Sequence, residues 1–270
     1  MISNKLFFKQ KSKANRLWGR RMVGTTRDEK EIEKFSRISK EWWHPEGKMK
    51  PLLEMNPIRV QYIRSQLCNN FGKDLNALKP LSELKILDVG CGAGFLSESL
   101  AALGADVTAI DASESNIQVA KEHARKSIMF PPDKISYICS TAEDLLEKKE
   151  YKFDAVVSLE VIEHVYDPQL FVDTCSQLVD RQKNGLLIFS TLNRTVSSYL
   201  LSIIAAEKLL GIVPDGTHSW EKYLSPEEIT GMVEKCGMKV TDVCGFFLNP
   251  ITNLWSLSNN TSINYAITCR

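Results

Sequence analysis

The stretch Ser158-Leu-Glu-Val-Ile-Glu-His-Val165 sets two carboxylates, Glu160 and Glu163, beside an imidazole, His164, within five residues. It follows Phe153-Asp-Ala-Val-Val157, an apolar run of the kind that forms a buried strand. Charge at the end of such a strand is costly to desolvate unless the site uses it. Three readings are open: a metal site, a set of helix caps, or packing in a pocket wall.

A second cluster lies earlier, in Leu87-Asp-Val-Gly-Cys-Gly-Ala-Gly94. Gly90, Gly92 and Gly94 permit a tight turn and close approach of backbone to a ligand. Asp88 stands just before them, and Asp111 closes the next apolar run, Asp106-Val-Thr-Ala-Ile-Asp111. A carboxylate there can accept both ribose hydroxyls of a nucleoside at the carboxyl ends of parallel strands. A dinucleotide site asks for G-x-G-x-x-G, and here Phe95 occupies the sixth position. That disfavours a nicotinamide dehydrogenase. D-x-G-x-G-x-G after a first strand resembles the class I methyltransferases, which bind S-adenosyl-L-methionine.

The elements that must position these residues follow from the alternation of patterns. Apolar, β-rich runs at 85–90, 106–111, 134–139, 153–159 and 185–191 alternate with helical stretches. Such alternation specifies an α/β fold with a mostly parallel sheet and helices on both faces. Two later runs, 239–247 and 262–269, complete seven expected strands. Asp167-Pro168 reads as N-cap and first turn of a helix, and Ser225-Pro-Glu-Glu228 as a capping box. Asn56-Pro57 reads as the cap of another helix, inside a lid-like N-terminal helical extension over 28–83 that precedes the core at 84–270.

With those residues in place, the chain resembles a narrower group, the ubiquinone biosynthesis O-methyltransferases. The resemblance is carried by EWWHPEGKMKPLLEMNPIR (41–59), LDVGCGAG, SLEVIEHV, FSTLNRT (189–195), VPDGTHSWEKY (213–223) and FLNPITN (247–253). It implies a Rossmann-like class I fold with Arg59, Gly90, Asp111 and Leu159 around S-adenosyl-L-methionine. A guanidinium such as Arg59 suits the methionine carboxylate. For the adenine amino group the alternatives are Glu143, its neighbour Asp144, or neither. The resemblance also implies a divalent metal, Mg2+ foremost, on Glu160, Glu163 and His164. If a helical turn starts as the strand ends, residues three and four apart share a face and converge on one ion. Without metal, His164 and His218 are the candidate bases, although His218 also reads as an ordinary loop histidine. The pattern departs at His44, where the group is expected to carry Asp, and at Leu53, where it is expected to carry His. His123, in a charged helical run, reads as solvated.

The implied substrate is a polyprenylated catechol or hydroquinone, and the implied reaction O-methylation during ubiquinone assembly. A methyltransferase for another small acceptor and a non-catalytic cofactor-binding assembly subunit are the alternatives. Residues 1–27 hold eight basic side chains and no acid in a chain whose net charge is +1. That pattern fits a mitochondrial transit peptide. Seven cysteines without a C-x-x-C pair argue for a reducing compartment. The apolar run 196–213 carries only Glu207 and Lys208 as charges and reads as a core helix or an interfacial surface. The expectation is peripheral association with the matrix face of the inner membrane, in a ubiquinone-biosynthesis complex and with no nucleic acid partner.

Overall fold

The computed structural model of the chain describes residues 25–148, 151–199 and 220–270. Helix α1 (Glu29–Arg37) opens the described chain, capped by the Asp28 side chain, which accepts from the backbone N–H groups of Lys30 and Glu31. A 22-residue helix α2 (Lys50–Phe71) follows and ends at Gly72 in a left-handed conformation. The core then alternates β1 (Lys85–Val89), α3 (Phe95–Ala102), β2 (Asp106–Asp111), α4 (Glu114–Ala124), β3 (Ile135–Cys139) and α5 (Ala142–Glu147). It continues through β4 (Ala155–Leu159), α6 (Pro168–Leu178), β5 (Leu186–Leu192) and the short α7 (Val196–Ser198). After residue 219 come α8 (Pro226–Lys235), β6 (Val240–Asn249), β7 (Leu254–Ser258) and β8 (Asn264–Cys269).

These strands form one sheet in the order β3-β2-β1-β4-β5-β8-β6-β7. The first five are parallel, and β8 inserts antiparallel between β5 and β6. The eighth strand is an addition to the seven expected. β7 pairs with β6 in a hairpin whose turn is built by Asn249, its Oδ1 accepting from the N–H groups of Ile251 and Thr252. Strand order reverses between β1 and β4, so the connections leaving their carboxyl ends diverge and open a crevice there, the usual place for a ligand in such sheets.

Period-2 alternation distributes the core to both faces. Ile86, Val107, Val157 and Ile188 pack with α2, α3 and α4 through Ile63, Leu67, Leu100 and Ile117. Leu87, Val156, Leu187 and Phe189 pack with α5, α6 and α8 through Leu145, Phe171, Cys175 and Ile229. A third cluster ties the N-terminal extension to the glycine loop: Trp42, Met49, Ala93 and Phe95.

The extension departs from its expected form in one respect. Asn56-Pro57 is not a helix start, because α2 begins at Lys50 and runs through Pro57. A proline inside a helix leaves the carbonyl four residues back without its usual donor. The Asn56 side chain is occupied elsewhere, donating to Phe95 O and Ser99 Oγ at 3.0 Å each, which locks α2 to α3. Residues 25–27, read above as the end of a leader, pack on the body: Thr26 N donates to Glu143 Oε1 at 2.7 Å, and Tyr166 N donates to Thr26 O at 2.9 Å.

Asp88, on β1, is 2% exposed and takes a 2.5 Å hydrogen bond from Ser97 Oγ. Burial pushes its carboxyl up to about 7 against that bond. The folded state therefore holds this proton more tightly than the unfolded chain. The resulting stabilisation is complete below the ordinary carboxyl range and is lost as pH rises through about 7. Asp88→Asn keeps an acceptor for Ser97 and removes the titration. Its melting temperature is expected to exceed that of wild type at pH 8 and to converge with it at pH 5; parallel pH profiles would contradict this assignment.

Candidate functional site

At the switch point the carboxyl ends of β1, β2 and β4 surround a cavity of about 300 Å³. The glycine loop forms its floor. Gly90 N and Cys91 N both donate to Ile110 O, at 2.8 and 3.0 Å, so the loop is pinned to β2. Gly90 has φ 75°, and a Cβ there would meet Val161 Cγ2 at 2.4 Å. Gly92 has φ 54°, and its Cβ would meet the Trp42 ring at 2.3 Å. The loop's glycines thus admit β4's exit on one side and the paired-tryptophan segment on the other. Gly94 lies outside the lining, as the N-cap of α3 against the Tyr137 hydroxyl.

Asp111 lines this cavity and braces the loop. Its Oδ2 accepts from Gly92 N at 2.9 Å, and its Oδ1 from Ser113 N at 2.8 Å and Asn116 Nδ2 at 3.2 Å. Burial nonetheless raises its carboxyl above the usual range. An ionised carboxylate offers about four lone-pair sites, so three bonds leave room for one ribose hydroxyl rather than the two expected. A second acceptor stands beside it. The Asn116 Oδ1 is buried and has no hydrogen-bond partner. Sequence reasoning missed Asn116, whose only signal was its position five residues after Asp111 on the following helix.

Glu143 and Arg59 are also under-satisfied. Glu143 Oε2 is buried without a partner, while Oε1 accepts from Thr26. Asp144 instead closes a capping box with Thr141 at the start of α5, so of the two acids Glu143 is the one in the cavity. Arg59 is buried at 5% exposure, and its Nη2 lies 3.0 Å from Glu160 Oε1. Nε and Nη2 nevertheless make no aligned hydrogen bond. Unsatisfied buried donors and acceptors are expensive and mark ligand sites. Leu159, at the end of β4, supplies apolar wall.

The acidic stretch after β4 does not fold as the spacing argument assumed. Glu160 adopts φ 56°, a left-handed conformation unusual for a non-glycine residue. A 3-10 turn starts only at Ile162 and ends at His164. Glu160 therefore lies outside the turn, and the shared-face rule for helices does not reach it. Ser190 Oγ donates to Glu160 Oε1 at 2.7 Å, alongside Arg59. His164 Nδ1 lies 3.1 Å from Glu31 Oε2 on α1. Glu163 is 4% exposed with Oε2 unpartnered, and burial together with the Glu160 charge pushes its carboxyl up to about 7. All three residues line the cavity, but among the described residues no three His, Cys, Asp or Glu side chains are already clustered as cation ligands. As a donor set they fit a divalent cation: an orphaned carboxylate oxygen beside a second carboxylate, and an imidazole whose Nε2 has no hydrogen-bond partner among the described residues.

The His164–Glu31 contact also perturbs its other partner. Hydrogen bonding to His164 is the largest cause that holds the Glu31 carboxyl down at about 2, outweighing its partial burial. His44 is exposed on the surface, its Nδ1 accepting from Glu46 N, and Leu53 packs on the tryptophan cluster. His123 is not simply solvated. It stacks on Trp43 with centroids 3.5 Å apart, and its Nδ1 lies 2.8 Å from Glu98 Oε1. His218 and most of the apolar run 196–213 lie outside the described residues, as do residues 1–24 of the expected leader.

Comparison with known proteins places this geometry. A family profile described as a methyltransferase domain matches residues 87–189. A ubiquinone biosynthesis O-methyltransferase of Sinorhizobium fredii is 44% identical over 246 residues, covering 91% of this chain and 96% of the relative. A mitochondrial ubiquinone biosynthesis O-methyltransferase of Arabidopsis thaliana is 45% identical over 241 residues, 89% of this chain and 73% of the relative. Among solved structures, magnesium protoporphyrin IX methyltransferase of Synechocystis with bound SAH has a TM-score of 0.55 at 19% identity, covering 88% of this chain and 86% of that one. An S-adenosylmethionine-dependent methyltransferase of Thermotoga maritima has a TM-score of 0.57 at 15% identity, covering 89% and 98% respectively. At such identities these two structures speak for the fold alone.

The contact between Trp42 and Gly92 gives a test of how the extension braces the floor. Gly92→Ala adds left-handed strain of about 1 kcal/mol and a clash of about 1–3 kcal/mol. In a Trp42→Ala background the clash disappears, so the two substitutions should be less than additive by at least about 1 kcal/mol in urea denaturation. Simple additivity would show that the ring does not press on the loop.

Proposed function

The chain belongs to the ubiquinone biosynthesis O-methyltransferase family, and from that premise we propose that it methylates a hydroxyl of a polyprenylated catechol or hydroquinone. S-adenosyl-L-methionine is the methyl donor, bound at the β1/β4 switch point. The observation that carries this reading is the set of orphaned polar atoms around one cavity: two donors on Arg59, one acceptor on Glu143 and one on Asn116. Their chemistry matches a carboxylate, an exocyclic amino group and a ribose hydroxyl. Arg59 takes the methionine carboxylate, Asp111 and Asn116 share the ribose, and Glu143 Oε2 accepts from the adenine. Gly90, Gly92 and Leu159 give the cofactor its close walls, and Asp88 ties β1 to α3 on either side of the loop through Ser97.

Methyl transfer is a displacement: a phenolate oxygen bonds the methyl carbon as the carbon–sulfur bond breaks, releasing S-adenosylhomocysteine. The protein's task is to exclude water, align the two reactants and remove the phenolic proton. Glu160, Glu163 and His164 would hold a divalent cation, with Mg2+ expected; when bound, it would lower the pKa of a chelated phenol by Lewis-acid action. With no cation bound, His164, in the same wall, would instead be placed to receive the phenolic proton at its Nε2.

Location and partners belong to the same proposal. The basic, acid-free N-terminus and the mitochondrial Arabidopsis relative support a matrix protein. A prenylated substrate calls for peripheral association with the inner membrane, and a biosynthetic complex is the expected setting. Among the described residues no helix is long and apolar enough to cross a membrane.

Transfer from labelled S-adenosyl-L-methionine to a short-tailed prenyl catechol tests the reading. Activity should fall to background with chelator, return with Mg2+, and drop at least about 100-fold in Glu160→Ala. Absence of transfer to any catechol under metal-replete conditions would refute the function. Full activity in chelator would refute the metal while leaving the methyltransferase intact.

A further inference from the structure

His164 is reached from far away in the chain. Glu31 lies 133 residues earlier, on α1, yet its Oε2 is 3.1 Å from His164 Nδ1. The carboxylate is itself held: Lys222 Nζ lies 3.3 Å from Oε1, and Lys34 Nζ lies 3.6 Å from Oε2. Phe35, one turn along the same helix, meets the imidazole edge-on, with centroids 5.0 Å apart at 79°. The ring is thus fixed on the α1 side by a hydrogen bond and by an aromatic edge, and its Nε2 is left for the cavity that Glu31 and His164 both line.

We propose that Glu31 is a positioning residue for methyl transfer: its carboxylate accepts the Nδ1–H of His164 and thereby selects the tautomer whose Nε2 carries no proton. A neutral imidazole has one protonated nitrogen, and a hydrogen bond at that nitrogen decides which it is. Ligating a cation and accepting a phenolic proton both require a bare Nε2, so the assignment serves either task. Outer carboxylates that orient a working histidine in this way are typically worth about 10–100-fold in activity or metal affinity. The inference rests on the methyl-transfer reading above and adds a residue of the N-terminal extension to its machinery.

Long-range proton–nitrogen NMR on histidine-labelled protein reads the tautomer directly, with no turnover. The four histidines keep the spectrum simple, and His164→Gln assigns the ring. Wild type should show a protonated Nδ1 and a bare Nε2. Glu31→Met should move His164 toward the Nε2–H form and lower kcat by about 10–100-fold, with KM for S-adenosyl-L-methionine and affinity for S-adenosylhomocysteine unchanged. Glu31→Gln, whose carbonyl still accepts from Nδ1–H, should keep the tautomer and most of kcat, a rescue that a purely structural role would not give. A Glu31→Met protein that retains Nδ1–H, or whose kcat stays within about twofold of wild type, overturns the proposal. Failure of the wild type to transfer methyl groups would instead refute the function, while the tautomer measurement judges Glu31 separately.

Discussion

Arg59 and Glu160 form the ion pair on which the site is organised. Their side chains are 6% and 12% exposed, and their charged atoms lie 3.0 Å apart. Removing a guanidinium from water costs several kcal/mol unless a counter-charge stands close by. Glu160 meets that need from a backbone in the left-handed region, its side chain reaching Arg59 on α2. Such a conformation costs about 1–3 kcal/mol and persists where surrounding structure holds it. Ser190 from β5 provides that hold, through its hydroxyl and through its backbone carbonyl, which accepts Glu160 N at 3.0 Å. On the other side, Arg59 is delivered by α2, which continues through Pro57 and is bolted to α3 by Asn56. The pair therefore joins three elements and leaves the Arg59 Nε, which has no hydrogen-bond partner, for an incoming anion.

The N-terminal extension is part of the site rather than a cover laid over it. Thr26 occupies one oxygen of Glu143, Trp42 presses on Gly92, and Glu31 grips His164. Each contact links a residue before β1 to one in the connection that follows a strand's carboxyl end. The cavity's polar atoms are consequently divided into two sets. One set is satisfied within the protein and fixes shape; the other is buried and unsatisfied and awaits ligand. Glu143 shows both behaviours in one carboxylate, with Oε1 bonded and Oε2 free of partners.

Much of this was legible in the sequence. The parallel strands, the glycine loop with Asp111 and the caps at Asp167 and Ser225 could be read from period, spacing and turn chemistry, whereas Arg59 and Glu143 entered with the family resemblance. What escaped has local physical causes. Pro57 looked like a first-turn residue because proline usually is one, but tertiary contacts of Asn56 carry the helix through it. The glutamates of the SLEVIEHV stretch were read with helical spacing, and one left-handed residue, Glu160, breaks that rule. β7 escaped because a short edge strand with little alternation gives a weak signal. Glu31 and Asn116 act through contacts set by the tertiary fold, and no motif announced either.

The central claim is that the cavity holds an amino-acid nucleoside with its carboxylate on Arg59. Calorimetric titration of S-adenosylhomocysteine and of methylthioadenosine, which lacks the amino acid end, into wild type and Arg59→Met tests it directly. A charge-assisted contact of this kind is worth about 1.5–3 kcal/mol, so wild type should prefer S-adenosylhomocysteine by at least about tenfold. Arg59→Met should lose that preference while binding methylthioadenosine as before. Equal binding of S-adenosylhomocysteine by the two proteins would contradict the account.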